Sequence, residues 1–576
     1  MSKNSNFIRK LYYRALFPNI IAVLGGTVNV FFDGIFIGRK LGDTGLESVN
    51  QCLPVYLLLC TVGSLYASGA SFLSSHALGK SDEKEAKRIF QGTLLDTLIV
   101  GGALCLLGFI FAGNISGLLG TAASRDYVYL YLRITFIGGI AKILLYVPYF
   151  YLRLEGKNRQ AMAAMLTMTI LNIVLDLVFL FVFDFGISGA AWASVIATAA
   201  AAAMSFFFLW IGKSSFKPGV CVLRFRDRKA IFRYGSPMAL NNLLSSARIF
   251  AVNLILGTMN LEGLVSVFAI VNNLNEFSIC IQNGVPQTAA AMTGIFYGER
   301  DSKGVKQIVK TELFSGAVLS LVLAAVLALF PTQIGAMFGS GADCVFGVRC
   351  LAASLVLATV NSVMTYTYNA VGQLAAANVI TVCRSFAAVA GFALLFRGLG
   401  NRIWLFYPCS ELLTFALIVT GSLLIAKKKQ LAPFYLIDDS LEKNGSSLSF
   451  AVECTDEKIC EASERLRSFC KESGFAKKET MVISLALEEL LTIITQNSCP
   501  PDGFADVRLL VWDDKRIIRI RAAGKRYNPI EAQDGSLDYM GVKMICDLAE
   551  RTEYLSALGV NTLIIYILEQ NSLIEK

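Results

Sequence analysis

Asn172 and Asp176 lie four residues apart in the run LNIVLDLVFLFVFDFGISGAAWASV (171–195), which is apolar and long enough to enter a bilayer. Four residues is about one helical turn, so the amide and the carboxyl share one face. A carboxylate in hydrocarbon costs roughly 3 kcal/mol or more on insertion scales, so it stays there with a partner, with water or with a task. Two chemistries fit this spacing. The pair could join helices as polar glue, or it could bind an ion or a substrate inside a helical bundle.

The composition says what kind of chain must position that pair. With 576 residues, 55% hydrophobic and only 16% charged, the chain is too apolar for an ordinary soluble enzyme and reads as an integral membrane protein. The net charge of +9 does not point to nucleic acid. From Leu448 onward there are 16 basic and 21 acidic residues, so the basic excess lies in loops between apolar runs, as expected beside an anionic membrane face. The first apolar run lacks a leader-type cleavage pattern and is expected to remain as a membrane helix. The 14 Cys lack metal-ligand spacing and read as reduced thiols. With His76 the only histidine, imidazole metal sites and His catalysis are excluded, and no metal is expected.

Apolar stretches recur at roughly 16–38, 50–74, 91–112, 127–150, 161–183 and 188–212, then at 235–259, 264–296, 312–331, 347–370, 379–397 and 403–425. The expected architecture is an all-α polytopic bundle of 12 transmembrane helices in two six-helix lobes (1–212 and 235–430), with an inter-lobe loop at 213–234. Alternate loops carry the positive charge, for example Lys80, Lys84, Lys87 and Arg88, then Arg153, Lys157 and Arg159, and later Lys427, Lys428 and Lys429. The positive-inside rule therefore places both termini in the cytoplasm of a plasma-membrane protein. The halves also repeat. LGKSDEKEAKRIF (78–90) matches YGERDSKGVKQIV (297–309), and the same offset lays Pro18 on Pro237. Halves with an even number of spans insert alike, so their axis should run along the membrane normal.

Beyond a linker at 431–447, the chain alternates strand and helix patterns over 448–570: SLSFAVEC, two helices, ADVRLLVWD, KRIIRIRAA, GVKMICDLAER, and a closing hairpin from TEYLSAL and NTLIIYIL. That length suffices for a separate cytoplasmic α+β domain with its own core.

Through FFDGIFIGRKLG (31–42), LGKSDEKEA, LNIVLD with GISGAA, and YGERD, the first 430 or so residues resemble the multidrug and toxic compound extrusion (MATE) transporters. The resemblance implies two six-helix lobes that export organic cations or other amphipathic molecules against inward protons or sodium ions. It is closest to the branch coupled through the amino-terminal lobe: Asp33 matches that branch's first-helix acid, Asn172 and Asp176 its fifth-helix pair, and Ser194 its sixth-helix hydroxyl. The other branch's carboxy-terminal acids are missing, with Asn241, Asn242 and Arg248 in one helix and Tyr366 and Tyr368 in another. Asp33 and Asp176 could share one proton and release it when water enters, or their oxygens could coordinate sodium. The plain alternative for Asp33 is a cap at the membrane edge, since Arg39 and Lys40 follow. Among the other intramembrane charges, Arg133, Lys142, Arg248, Arg384 and Glu411 read as snorkelling or helix-joining groups, while Glu276 is an additional candidate for the site.

The tail resembles the Bergerat-type ATP-binding fold of histidine kinases and anti-sigma-factor kinases. Glu489 falls on that family's catalytic acid, and Gly524 and Gly541 fall on its nucleotide-loop glycines. Ile493 stands where a magnesium-binding Asn belongs, and Ala522 where an adenine-binding Asp belongs. Losing those oxygens removes a metal ligand and the adenine-specific hydrogen bond, so a degenerate, inactive domain is expected. The functional expectation is a secondary antiporter for small amphipathic or cationic substrates, not an enzyme. It would need no cofactor beyond a proton or sodium ion, its tail would serve a regulatory purpose, and a cytoplasmic protein could dock there. The alternative is a membrane-bound sensor built on a transporter bundle.

Overall fold

The computed structural model describes residues 4–568 apart from 122–123, 212–213, 260–263, 338–343, 441–444, 499–502, 513–514 and 531–539. Among the described residues, ten stretches are long and apolar enough to cross a membrane. One of them, Leu374–Lys429, is two passes joined by a 3-10 turn at Arg397–Leu405, and Leu264–Gly298 is a further 35-residue helix. The candidate passes among the described residues therefore number twelve: α1 (Phe7–Gly42), α2 (Glu47–Gly79), α3 (Glu83–Ile110), α4 (Arg125–Leu154), α5 (Asn158–Val182) and α6 (Gly186–Trp210), then α7 (Phe225–Gly257), α8 (Leu264–Gly298), α9 (Ser302–Leu329), α10 (Val345–Ala370), α11 (374–396) and α12 (Phe406–Lys429). Pro18 lies inside α1 and Pro237 inside α7.

The repeat seen in the sequence is a repeat in backbone. Asp82 caps α3 and Asp301 caps α9, each carboxylate accepting a backbone N–H at 2.9 Å, from Glu85 and Gly304. The residue before each cap has positive φ, 59° at Ser81 and 57° at Arg300. Contacts between the lobes repeat as well. α1 runs along α8, with Asn19 donating to Thr288 Oγ1 at 3.1 Å and Phe31 edge-on to Phe277, while α2 runs along α7. There Asn242 donates to Ser64 Oγ at 3.1 Å and Phe72 stacks on Tyr234. These two contacts exchange under a twofold relating the halves.

The two lobes meet closely on the side that carries the tail. A Cβ on Gly69 would lie 2.1 Å from the Ile231 carbonyl oxygen, and one on Gly235 2.1 Å from that of Leu65. Gly79 and Gly298, the repeat-related glycines, are in backbone contact. Polar ties reinforce this side: Arg88 with Asp227 at 2.7 Å, Arg228 with Asp96 at 2.6 Å, and a His76 ring nitrogen with the Ala370 carbonyl at 3.0 Å.

The tail is a five-stranded antiparallel sheet of order β1-β2-β3-β5-β4, with β1 Ser446–Glu453, β2 Phe504–Trp512, β3 Lys515–Ala523, β4 Ala549–Ala557 and β5 Val560–Leu568. Three helices, α13 (Asp456–Glu472), α14 (Lys477–Asn497) and α15 (Met540–Leu548), cover one face and share its apolar core. The other face of β2 and β3 is polar, and it lies on the membrane bundle. Arg508 and Arg521 both pair with Asp301, and Arg521 also reaches Glu299 and Asp506. Arg519 donates to the Glu299 carbonyl at 2.9 Å. All six residues are at least nine-tenths buried.

Candidate coupling and substrate sites

The coupling candidates gather in the first lobe. Asn29 and Asp33 are one turn apart on α1, and Asn172 and Asp176 one turn apart on α5, so each helix presents an amide and a carboxyl on one face. Asn172 is satisfied at both ends when its nitrogen turns toward α1, an orientation assigned from its hydrogen bonds. It then donates to Asp33 Oδ1 at 2.6 Å and Asn29 Oδ1 at 2.7 Å, while its oxygen accepts from the Ser194 hydroxyl at 3.1 Å and backbone N–H at 3.2 Å. Asn29 also donates to Asp33 Oδ2 at 3.4 Å.

Asp176 is 1% exposed, and neither carboxyl oxygen has a hydrogen-bond donor among the described residues. It lies within hydrogen-bonding reach of Asp33. A buried carboxyl, Asp176, beside a half-buried one, Asp33, cannot carry charge cheaply while its neighbour does, so a proton between them, or a cation on both, resolves the conflict. Directly after Asp176 the helix widens into a π turn, Leu177–Val182, a local change of pitch that recurs at functional sites.

The structure thus brings Asp33, Asn172, Asp176 and Ser194 together, and it adds two residues the sequence analysis did not assign to the site. Asn29 was signalled by its four-residue spacing from Asp33. Lys142, expected to snorkel or to join helices, joins α4 to α2 by donating to Tyr56 Oη at 2.6 Å, with its charge in the field of Asp33. Glu276 takes no part in these hydrogen bonds. Its charged neighbour is Arg248, on the facing helix of the second lobe. In that lobe Arg384 pairs with Glu411 at 3.1 Å and with Gln282, and Asn361 donates to Glu411 at 2.7 Å, a helix-joining network as expected. Glu312 on α9, unremarked in the sequence, is 1% exposed with a weak contact at 3.4 Å to the Thr367 hydroxyl.

A separate cavity of about 1160 Å³, counted to its open mouth, lies between the lobes toward the tail side. Phe72 and Phe150 give it apolar wall, Arg153, Asn241, Gln287 and Tyr366 polar wall, and Leu558 at the tail's β4–β5 turn lines it as well.

In the tail, Glu489 Oε2 accepts the Val542 N–H at 2.9 Å at the start of α15. Gly541 is forced small, since a Cβ would lie 2.8 Å from Leu485, and one on Gly524 would lie 1.9 Å from the Ser498 carbonyl oxygen. Ile493 and Ala522 are core residues, 2% and 0% exposed. They supply packing and no oxygen ligand.

A duplicated bundle of long apolar helices, with two neighbouring carboxyls in one lobe and a cavity between lobes, is the architecture of a secondary transporter. The chain belongs to the MatE family, whose model matches residues 18–178 and 237–395, one match in each lobe. Members of that family are secondary transporters and not enzymes. The multidrug export protein MepA of Staphylococcus aureus (strain NCTC 8325 / PS 47) is 24% identical over 442 residues, covering 74% of this chain and 93% of MepA. The Staphylococcus saprophyticus protein of that name is 24% identical over 381 residues, covering 64% and 82%. Among solved structures, an outward-facing multidrug resistance MATE family transporter of the MOP superfamily superposes with a TM-score of 0.70 at 22% identity, covering 74% of this chain and 97% of that one. A MATE crystal structure in complex with MaL6 also gives 0.70 at 22%, covering 75% and 100%.

Proposed function

We propose that this protein is an exporter of small amphipathic molecules driven by inward movement of protons or sodium ions, with Asp33 and Asp176 as the coupling carboxyls. The observation that carries this reading is the contact between those carboxyls, one held by Asn172 and the other without a donor. Loading a proton or sodium ion there removes the repulsion between the two carboxyls, and unloading restores it, so the two states favour different packings of α1 against α5. The multidrug export named for the staphylococcal relatives supports the transport half of the reading. The basic loops on the tail side support cytoplasmic termini.

The tail is read as an ATPase-like fold without turnover that regulates the bundle. Its contacts with both lobes support this. Arg526 pairs with Glu83 at 2.9 Å and donates to Ser215 Oγ at 2.6 Å, and Leu558 N–H donates to the Leu154 carbonyl at 3.0 Å, all in or beside the first lobe. Arg508, Arg519 and Arg521 hold the α8–α9 turn of the second lobe. A body fastened to both lobes opposes their separation on that side.

Dye efflux from proteoliposomes, energised separately by proton and sodium gradients, tests the reading. Wild type should respond to one gradient, and Asp33→Asn and Asp176→Asn should each lose that response. Unchanged gradient-driven efflux in both variants would reject the carboxyl pair as the coupling site.

A further inference from the structure

The cavity between the lobes has an unusual charge. Among the described residues that line it there are two arginines, Arg153 and Arg384, and no aspartate or glutamate. Arg384 is neutralised from behind by Glu411. Arg153 is not: at 6% exposure it forms no ion pair among the described residues, where it donates to the Gln287 side chain at 3.0 Å and to the Gln287 carbonyl. Its Nε–H has no acceptor among the described residues, and Ser68 Oγ, on the same cavity, also lacks a partner there. A guanidinium stays charged at any physiological pH, and burying it without a counter-charge costs several kcal/mol. A structure that keeps one so placed leaves room for an anion to complete it.

Resting on the exporter reading, the geometry points to this cavity as a binding site for amphipathic anions. A carboxylate, sulfonate or phosphate ester would sit on Arg153, and its apolar body would lie against Phe72 and Phe150. The fork of N–H groups matches a two-oxygen anion. The rings of Tyr149 and Phe150, 5.5 and 5.7 Å from the guanidinium, hold it in place without neutralising it. Gln287 fixes its orientation, since the Gln287 amide also donates to Tyr366 Oη at 3.2 Å. This substrate class departs from the organic cations that the family resemblance implies, because no acid on the cavity wall would receive a cation.

Fluorescein and rhodamine 6G share a xanthene skeleton and differ in charge, so they test this in the full-length protein in lipid nanodiscs. Wild type should bind fluorescein the more tightly. Arg153→Gln should weaken fluorescein about tenfold or more while leaving rhodamine 6G within about twofold, because only the anion loses a buried charge partner. Arg153→Lys should restore part of the loss, and Ser68→Asp should weaken fluorescein and strengthen rhodamine 6G. A wild-type preference for rhodamine 6G, or equal losses for both dyes in Arg153→Gln and Ser68→Asp, would overturn the assignment, the second result marking Arg153 as a tie between lobes. Flux separates the two readings. Arg153-dependent fluorescein binding with no gradient-driven flux of either dye would sink the exporter and keep the site, whereas gradient-driven flux of rhodamine 6G alone would do the reverse.

Discussion

Asp33 and Asp176 are neighbours but are held differently, and that difference can be measured. Asn172 fixes Asp33 by donating to it, whereas Asp176 has no donor of its own. Asn172→Ala should therefore loosen Asp33 and weaken coupling-ion affinity about tenfold, in the range found when a ligand's supporting partner is removed. The apparent ion affinity of gradient-driven efflux reads this out. Where the tail meets the second lobe, burial opposes the charge of Asp301, but the tail's Arg508, Arg521 and Arg519 outweigh that and hold it well below the usual carboxylate range. Burial pushes Asp506 up to about 6 against the pull of Arg521, with Asp301 adding repulsion. The signs are opposite. The raised group favours the docked state while it is protonated, and its contribution fades as pH climbs through 6. The lowered group favours docking above about pH 4 and ceases to as it is protonated below that. Tail docking should accordingly tighten from pH 7 to pH 5, and Asp506→Asn should abolish that change. Fluorescence transfer between labels on the tail and the bundle reports it. Spacing made Asn172 and Asp176 legible as a pair. It could not show that Lys142 turns inward to Tyr56, because snorkelling and burial use the same residue at the same depth.

Helices that touch through glycine leave no slack. Gly79 and Gly298 meet backbone to backbone where the repeated motifs cross, so Gly298→Val requires the lobes to part on that side. The variant should remain folded within each lobe and shift the resting population toward the state open on the tail side. Cysteine pairs placed across α2 and α8 would report this as lower cross-linking yield. The twelve passes and their duplication could be read from hydropathy and from two motifs in phase. Their starts could not. α9 begins at Ser302, ten residues before the apolar stretch at 312–331, because Asp301 caps it in a polar turn. That extension takes Glu312 from the edge of a span to a buried position within it. Hydropathy averages over a window, whereas a cap acts at one residue.

At the scale of the whole molecule, the alternating residues of β2 and β3 declared one polar face, but not what covers it. Water, a partner or the chain's own bundle would each suit Arg508, Arg519 and Arg521 equally well. The structure answers that the bundle does, through charges contributed by the very turn that repeats the α2–α3 motif. Removing one member of such a buried cluster leaves the others uncompensated, at a cost of about 3–5 kcal/mol. Arg521→Ala should release the tail from the second lobe, and limited proteolysis at the 431–447 linker should quicken. Deleting residues 431–576 should leave export intact and raise its rate. Loss of all gradient-driven export on that deletion would show instead that the tail is part of the transport machine.

Leu558 belongs at once to the tail's β4–β5 turn, to a hydrogen bond with Leu154 and to the wall of the inter-lobe cavity. In the proposed cycle, substrate enters from that side, so every turnover must include an episode in which the turn lifts away and settles back. Release of the arginine contacts is then itself a step of the export cycle. A cytoplasmic partner that captures the lifted tail would need no contact with the substrate path, and by lengthening each episode it would set throughput as a governor sets the speed of an engine.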